Sequence, residues 1–197
     1  HGEIVERHLN PPIAEADAII ASAGTAVFLG PRKTPSESWR QRILETVSPD
    51  TMRDLLDMLE KSDFSIHPES YDSEFKASLI VKPENHAAAA LSVTKLLECH
   101  FPNKFEISFW NNASIDITPR DINKRTALLH LLRTQGLDSL PVYVAGDSCN
   151  DIPVFEVPAF KKIVVGNASP ELREKVADLP NLFMAPDHQA VARGVLE

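Results

Sequence analysis

Apolar positions along the chain follow three rhythms in turn. Ala18–Ala23 is a short, mainly apolar run closed by Gly24-Thr25, which predicts a buried strand ending in a turn. Before it, Gly2–Leu9 predicts a short helix stopped by Pro11-Pro12. Gly30–Pro35 holds two prolines and a glycine and predicts a loop. In the middle of the chain, helical and strand periods alternate. Ser48-Pro49-Asp50 supplies a capping hydroxyl, a proline at the first helical position and an acid at the positive end of the dipole. Met52, Leu55, Leu56 and Leu59 then share one face, so a helix is predicted over Asp50–Lys61. Phe75, Ala77, Leu79 and Val81 alternate with Lys76, Ser78, Ile80 and Lys82. Phe105, Ile107 and Phe109 alternate with Glu106, Ser108 and Trp110. Such strands bury one face and wet the other, the habit of antiparallel sheets. Glu84–Glu98 predicts a helix with Ala87, Leu91 and Lys95/Leu96 along one face, and Ser114–Ile117 a further strand.

After Pro119 the strands lose their alternation. Lys124–Gln135 predicts a leucine-rich helix ended by Gly136. Val142–Ala145, Ile163–Val165 and Leu182–Met184 predict continuous apolar strands, with helices from Ser169-Pro170 to about Ala177 and from Asp187 onward. Strands of this kind, separated by helices, make a parallel sheet covered on both faces. The expected fold class is therefore α/β: a Rossmann-like core of residues 1–28 and 118–197, split by an α+β insertion of residues 29–117.

Composition removes some functions. Twenty Lys and Arg against 28 Asp and Glu leave a net charge of −8 on 197 residues. That balance argues against a general binder of nucleic acid or anionic membrane. No apolar stretch approaches the roughly 20 residues that span a bilayer. Cys99 and Cys149 form neither a disulfide framework nor a CxxC pair, so reduced thiols in a cytoplasm are expected. None of the seven histidines has HExxH spacing.

In open parallel sheets, ligands bind beyond the carboxyl ends of the strands. The strand Val142–Ala145 delivers Gly146-Asp147-Ser148-Cys149-Asn150-Asp151, a glycine and then two carboxylates four residues apart. Oxygen-rich acids at a strand end suit a hard cation such as Mg²⁺. The same residues are also ordinary turn formers and helix caps. Lys124 opens a helix, where it opposes the dipole. It is either a solvated surface charge or a compact positive charge for a phosphate.

Asp116-Ile117-Thr118-Pro119, Asn123-Lys124, the Gly146–Asp151 string and Val164-Val165-Gly166-Asn167-Ala168 together resemble a known family. The segment Asp116–Glu197 is similar to the carboxyl-terminal half of haloacid-dehalogenase-superfamily phosphatases. The branch is the one with a large α/β cap, which includes sugar-phosphate phosphatases. Ala18–Val27 looks like the strand and turn that lead into that cap. The resemblance implies Mg²⁺-dependent hydrolysis of a phosphate monoester, a sugar phosphate, through an aspartyl-phosphate. Lys124 would balance charge on nucleophile and phosphoryl group. Asp147 and Asp151 would serve the Mg²⁺, with Asn150 completing their loop, so that Lys124, Asp147, Asn150 and Asp151 form the catalytic set. Asn167 would stand on the substrate side. In the inserted segment, Lys76, Ser78, Ser108, Trp110 and Asn112 are the candidates for reading the sugar, with Lys76, Ser108 and Trp110 foremost.

Two positions depart from the family pattern. Arg125 stands where glycine usually follows the lysine, and Cys149 occupies a variable position as a tolerated small residue. The family's DxDxT nucleophile motif does not occur in these residues. His1–Leu9 looks like the helix just after the second motif. The nucleophilic aspartate is therefore expected upstream of His1, and the 197-residue chain alone is expected to be inactive. The alternative is a non-catalytic relative of the same fold that binds a phosphate ligand or regulates. A nucleotide-binding domain has only Gly166-Asn167-Ala168 in its favour, since no GxGxxG follows a strand.

Overall fold

The computed structural model describes residues 16–30, 33–62, 64–71, 73–110 and 114–185. The helices expected over Gly2–Leu9 and from Asp187 lie outside these residues. The chain divides into two compact units, His1–Ala127 and Leu128–Glu197.

The first unit holds two antiparallel sheets. β1 (Ala18–Ala21) turns through Ser22–Gly24 into β2 (Ala26–Leu29), which pairs in turn with the two-residue β3 (Thr34–Pro35). The expected loop over Gly30–Pro35 thus ends in a short edge strand. α1 (Glu37–Leu44) follows, with Ser36 accepting the Trp39 amide proton. α2 (Pro49–Lys61) starts as the sequence predicts: Ser48 Oγ accepts from the Thr51 amide at 3.1 Å. Met52, Leu55 and Leu59 are buried.

The second sheet contains β4 (Ala77–Ile80), β5 (Phe105–Trp110) and β6 (Ser114–Pro119), in the order β4-β6-β5. Ala77 and Leu79 lie opposite Ile117 and Ile115, and all four are buried. On the alternate positions, Ser78, Asp116 and Ser108 stand in one row across the three strands. α3 (His86–His100) lies between β4 and β5 in sequence. Its buried positions are Val93 and Leu97, one turn apart, whereas Leu91 is 57% exposed. The face expected through Ala87 and Leu91 is therefore wrong. Ala87–Ala90 are apolar on every side of the helix, so only the larger residues of the next turns choose which side packs.

The second unit is built on a parallel sheet of β7 (Tyr143–Gly146), β8 (Lys161–Val164) and β9 (Leu182–Met184), in the order β7-β8-β9. α5 (Ile152–Phe155) and α6 (Pro170–Val176) fall between the strands, and α4 (Lys124–Thr134) precedes them. Phe155, Val164, Val165, Ala168, Leu172 and Val176 form one buried cluster. Leu128 and Leu132 of α4 pack on a second, made of Val144, Val154 and Phe160. The expected continuous burial holds for Lys162–Val164 of β8 but not for β7. There Tyr143 is 60% exposed and Ala145 is exposed, while Val144 and Gly146 are buried. The outer position suits a phenol, because Lys161 Nζ donates to Tyr143 Oη at 2.9 Å and stands 4.9 Å from the ring centre.

Lys162 is the charged residue of the β8 core, 1% exposed. Its Nζ donates to the carbonyls of Phe160 at 2.8 Å and Pro180 at 2.9 Å, which ties two turns to the sheet. Burial lowers its pKa below the usual 10.5. Between that depressed value and 10.5 the unfolded chain holds the proton and the folded chain does not. Stability therefore rises with pH through that window, and below it the charge is buried at a cost. Lys162→Met removes the titration. In urea unfolding at about pH 7 and about pH 10, the native protein should gain stability relative to Lys162→Met at the higher pH. A constant difference would show that burial does not shift this amine.

Candidate active site

The loop after β7 begins where a side chain cannot fit. A Cβ on Gly146 would lie 2.7 Å from both Asp151 Oδ2 and the Phe155 ring. The close approach lets Asp151 Oδ2 accept from the Asp147 amide at 3.1 Å and the Ser148 amide at 3.4 Å. Ser148 Oγ donates to Asn150 Oδ1 at 3.0 Å. The loop is laced to its neighbour, since the Val165 amide donates to the Gly146 carbonyl at 3.2 Å and the Ser169 amide to the Asp147 carbonyl at 2.8 Å. Arg173 Nη2 donates to the carbonyls of Val165 and Gly166 at 3.0 and 2.8 Å. These contacts hold the exposed Asp147 and Asn167 on two adjacent loops at the carboxyl ends of β7 and β8. Asp151 is buried and turned to the backbone through one oxygen.

The donor chemistry fits Mg²⁺, which binds through one or two carboxylates and completes its shell with water and phosphate oxygens. Among the described residues no cluster of three or more His, Cys, Asp or Glu could hold a metal by itself. Asp147 is the exposed carboxylate of this loop. Both cysteines are free thiols, and no described helix is long and apolar enough to cross a membrane.

In the first unit, Lys124 is the first residue of α4. Asn123 caps that helix, its Oδ1 accepting from the amides of Arg125 and Thr126 at 3.1 and 3.2 Å. Glu106 on β5 accepts from Asn123 Nδ2 at 3.4 Å and from the Asp121 amide at 3.3 Å. Gly24 packs directly on the peptide joining Asn123 to Lys124: a Cβ there would lie 2.2 Å from the Asn123 carbonyl carbon and 2.6 Å from the Lys124 nitrogen.

The row Ser78, Asp116, Ser108 gives the β4-β6-β5 sheet a polar face. Ser78 Oγ donates to Asp116 Oδ1 at 2.5 Å, and Lys76 Nζ stands 3.6 Å from the same oxygen. The side chains of Lys76 and Asp116 are only 16% and 14% exposed. Lys76 also lines a cavity of about 130 Å³ with Trp39, Arg40, Glu74, Phe28 and Phe75. Arg40 Nε reaches both carboxylate oxygens of Glu74, at 3.0 and 2.9 Å. Trp110 pairs with Ser114 in the strand register, and Asn112 lies outside the described residues.

The structure thus gathers Asp147, Asn150, Asp151 and Asn167 at one sheet end. It sets Lys76 and Ser108 around Asp116 on one sheet face, and puts Lys124 at a capped helix start. From the sequence, Asp116 is legible only as a motif residue and Gly24 only as a turn former, and Trp39 is not singled out. An acid at a polar-face position of a period-two strand is the signal that could have singled out Asp116. Gly24 and Trp39 carry none without the contacts themselves.

The fold, with a parallel α/β sheet and an antiparallel α+β sheet, is of the haloacid-dehalogenase type. A haloacid dehalogenase-like hydrolase from Bacillus subtilis superposes with a TM-score of 0.67 at 14% identity, covering 98% of this chain and 82% of its own. The chain belongs to the sucrose-6F-phosphate phosphohydrolase family, whose model matches residues 3–197. The sucrose-phosphatase of Synechocystis, solved with sucrose and phosphate, superposes with a TM-score of 0.79 at 19% identity, covering 99% of this chain and 79% of that one. The protein named probable sucrose-phosphatase 3b of Arabidopsis thaliana is 24% identical over 194 residues, 94% of this chain and 45% of that protein. Mannosylfructose-phosphate phosphatase of Agrobacterium fabrum is 25% identical over 161 residues, 82% of this chain and 63% of that protein. The chain therefore spans about half the length of the curated relatives it matches.

Gly146→Ala should force Asp151 and Phe155 apart and destabilise the second unit by about 1–3 kcal/mol. Thermal unfolding followed by circular dichroism measures this, and an unchanged midpoint would mean that the loop yields freely.

Proposed function

We propose that the full protein is a Mg²⁺-dependent phosphatase that releases inorganic phosphate from a sugar phosphate. The observation that carries the reading is the Gly146–Asp151 loop: it presents one exposed carboxylate at a parallel-strand end, in a chain whose family model is that of a sucrose-6F-phosphate phosphohydrolase. Asp147 holds the cation, and Asp151 supports it through the loop it shapes, with Asn150 fixed beside Ser148. Bound Mg²⁺ would neutralise phosphoryl oxygens and so favour attack at phosphorus. Lys124 supplies a second positive charge where negative charge develops on the transferring group. Asn167 offers an amide to the substrate. No carboxylate of these residues is assigned as the nucleophile, because none lies in a DxDxT motif.

Residues 1–28 and 118–197 serve as the chemical core and residues 29–117 as the substrate-selecting insertion, the division falling inside β6. For the boundary near residue 118, support comes from the change of sheet type, antiparallel in β4-β6-β5 and parallel in β7-β8-β9. Lys76 and Ser108 on the polar face, together with Trp110, read the sugar, with Asp116 as an acceptor held by Ser78. The Lys76–Asp116 pair is neutral overall, which suits hydroxyl groups better than a second phosphate. Free thiols fit a cytoplasmic enzyme.

Asp147→Asn in the full protein should lower kcat/KM for sucrose 6-phosphate by about a hundredfold or more and raise the Mg²⁺ needed for half-maximal rate. Phosphate release at graded Mg²⁺ tests this, and near-normal rates at ordinary Mg²⁺ would remove Asp147 from the metal. Lys76→Ala should reduce the ratio of kcat/KM on sucrose 6-phosphate to that on p-nitrophenyl phosphate by about tenfold, the size of one hydrogen bond to a charged group. Equal losses on both esters would mean that Lys76 supports the fold and does not read the sugar.

A further inference from the structure

We propose that Trp39 positions Lys124 through Gly24, so that a residue of the inserted segment sets the height of the charge that meets the phosphoryl group. The inference rests on the role given to Lys124 above. Three consecutive residues of the turn after β1 have positive φ: Ser22 at 51°, Ala23 at 57° and Gly24 at 104°. Ser and Ala rarely adopt this conformation, and it persists only where the surroundings over-determine it.

The determining contacts are specific. Thr25 donates twice to the Ser22 carbonyl, from its amide at 3.1 Å and its Oγ1 at 2.9 Å, and closes the turn. Trp39 Nε1 donates to the Gly24 carbonyl at 3.0 Å, and Trp39 is 2% exposed. Gly24 also lies against the Asn123–Lys124 peptide with no room for a methyl group. The order of contact is therefore indole, Gly24 carbonyl, Asn123–Lys124 peptide, Lys124 side chain.

Gly24 is buried, so its carbonyl has no access to bulk water as a substitute partner. Without the indole N–H, the Gly24–Thr25 peptide would rotate toward another donor. The rotation would shift Gly24 against the peptide of Lys124. A shift of about 1 Å in a reacting group is enough to lose about a hundredfold in rate, so a partial shift gives a smaller, measurable loss. Trp39 does not touch the substrate in this account. It is a positioning residue, and its removal acts only while Lys124 is present.

The experiment compares the native full protein with Trp39→Phe, Lys124→Ala and the double variant. Steady-state kinetics are run on sucrose 6-phosphate and on p-nitrophenyl phosphate, with thermal unfolding as the check on folding. Trp39→Phe should lower kcat by about tenfold on both esters and leave KM within about twofold. In the Lys124→Ala background it should cause no further loss, because the group it places is gone. If Trp39→Phe does not fold, site-specific β-(3-benzothienyl)alanine at position 39 keeps the bicyclic outline without the N–H and should give the same result. Unchanged kcat, or an equal loss with and without Lys124, would overturn the positioning role and leave the functional reading standing. Unchanged kinetics of Lys124→Ala itself would overturn both.

Discussion

One carboxylate oxygen, Asp151 Oδ2, takes the amide protons of Asp147 and Ser148 and so folds the loop at the carboxyl end of β7. A backbone loop at a strand end has amides that the sheet no longer satisfies, and an acid four residues on is one of the few groups that can reach them. Gly146 must then be glycine, because the same oxygen and the Phe155 ring fill the space a side chain would use. With those two amides occupied, the Asp147 side chain is left exposed at the strand end. The neighbouring loop is tied to the same place by the Val165 and Ser169 amides. A hard cation and a phosphoryl group need such fixed oxygen and amide donors, since phosphoryl transfer is mostly positioning and charge neutralisation.

The first unit meets a different demand. Its β4-β6-β5 sheet buries one face in Ala77, Leu79, Ile115 and Ile117 and keeps a polar row on the other. Asp116 lies well inside that row, and its charge is offset by Lys76 and by the Ser78 hydroxyl. A carboxylate so little exposed is costly unless its oxygens are used. Here Ser78 and Lys76 use one of them, so the carboxylate is held in place on that face.

Much of this was legible from the amino acids. Period two around Phe75–Val81 and Phe105–Phe109 predicts antiparallel strands, and they are antiparallel. Ser48-Pro49 marks the start of α2 to the residue. The string Gly146–Asp151 marks the strand-end loop, because glycine, aspartate and asparagine after an apolar strand favour a turn. The failures have physical causes. Four alanines in a row gave α3 no preferred face, so the packing of Val93 and Leu97 decided it. β7 alternates because Tyr143 can stay outside with Lys161 over its ring. Lys162, a buried amine inside a strand, has no periodic signature, since its partners are backbone carbonyls, that of Phe160 just before the strand and that of the distant Pro180. Gly24 reads from the sequence only as a turn former and Trp39 not at all, because the approach of Gly24 to Asn123 and Lys124 and the bond from Trp39 to Gly24 are encoded by no spacing.

The central proposal is that Asp147, in the Gly146–Asp151 loop, holds the cation, with the Gly166–Ser169 loop tied beside it. Titration of the ¹⁵N-labelled protein with Mn²⁺, a paramagnetic substitute for Mg²⁺, reads that location directly through broadening of backbone amide signals. The account predicts that the amides of Asp147 to Asn150 broaden first, followed by Gly166 and Asn167, and that excess Mg²⁺ restores them. Broadening centred on other acids, such as Glu69 and Glu74 beside the first unit's cavity, would contradict it.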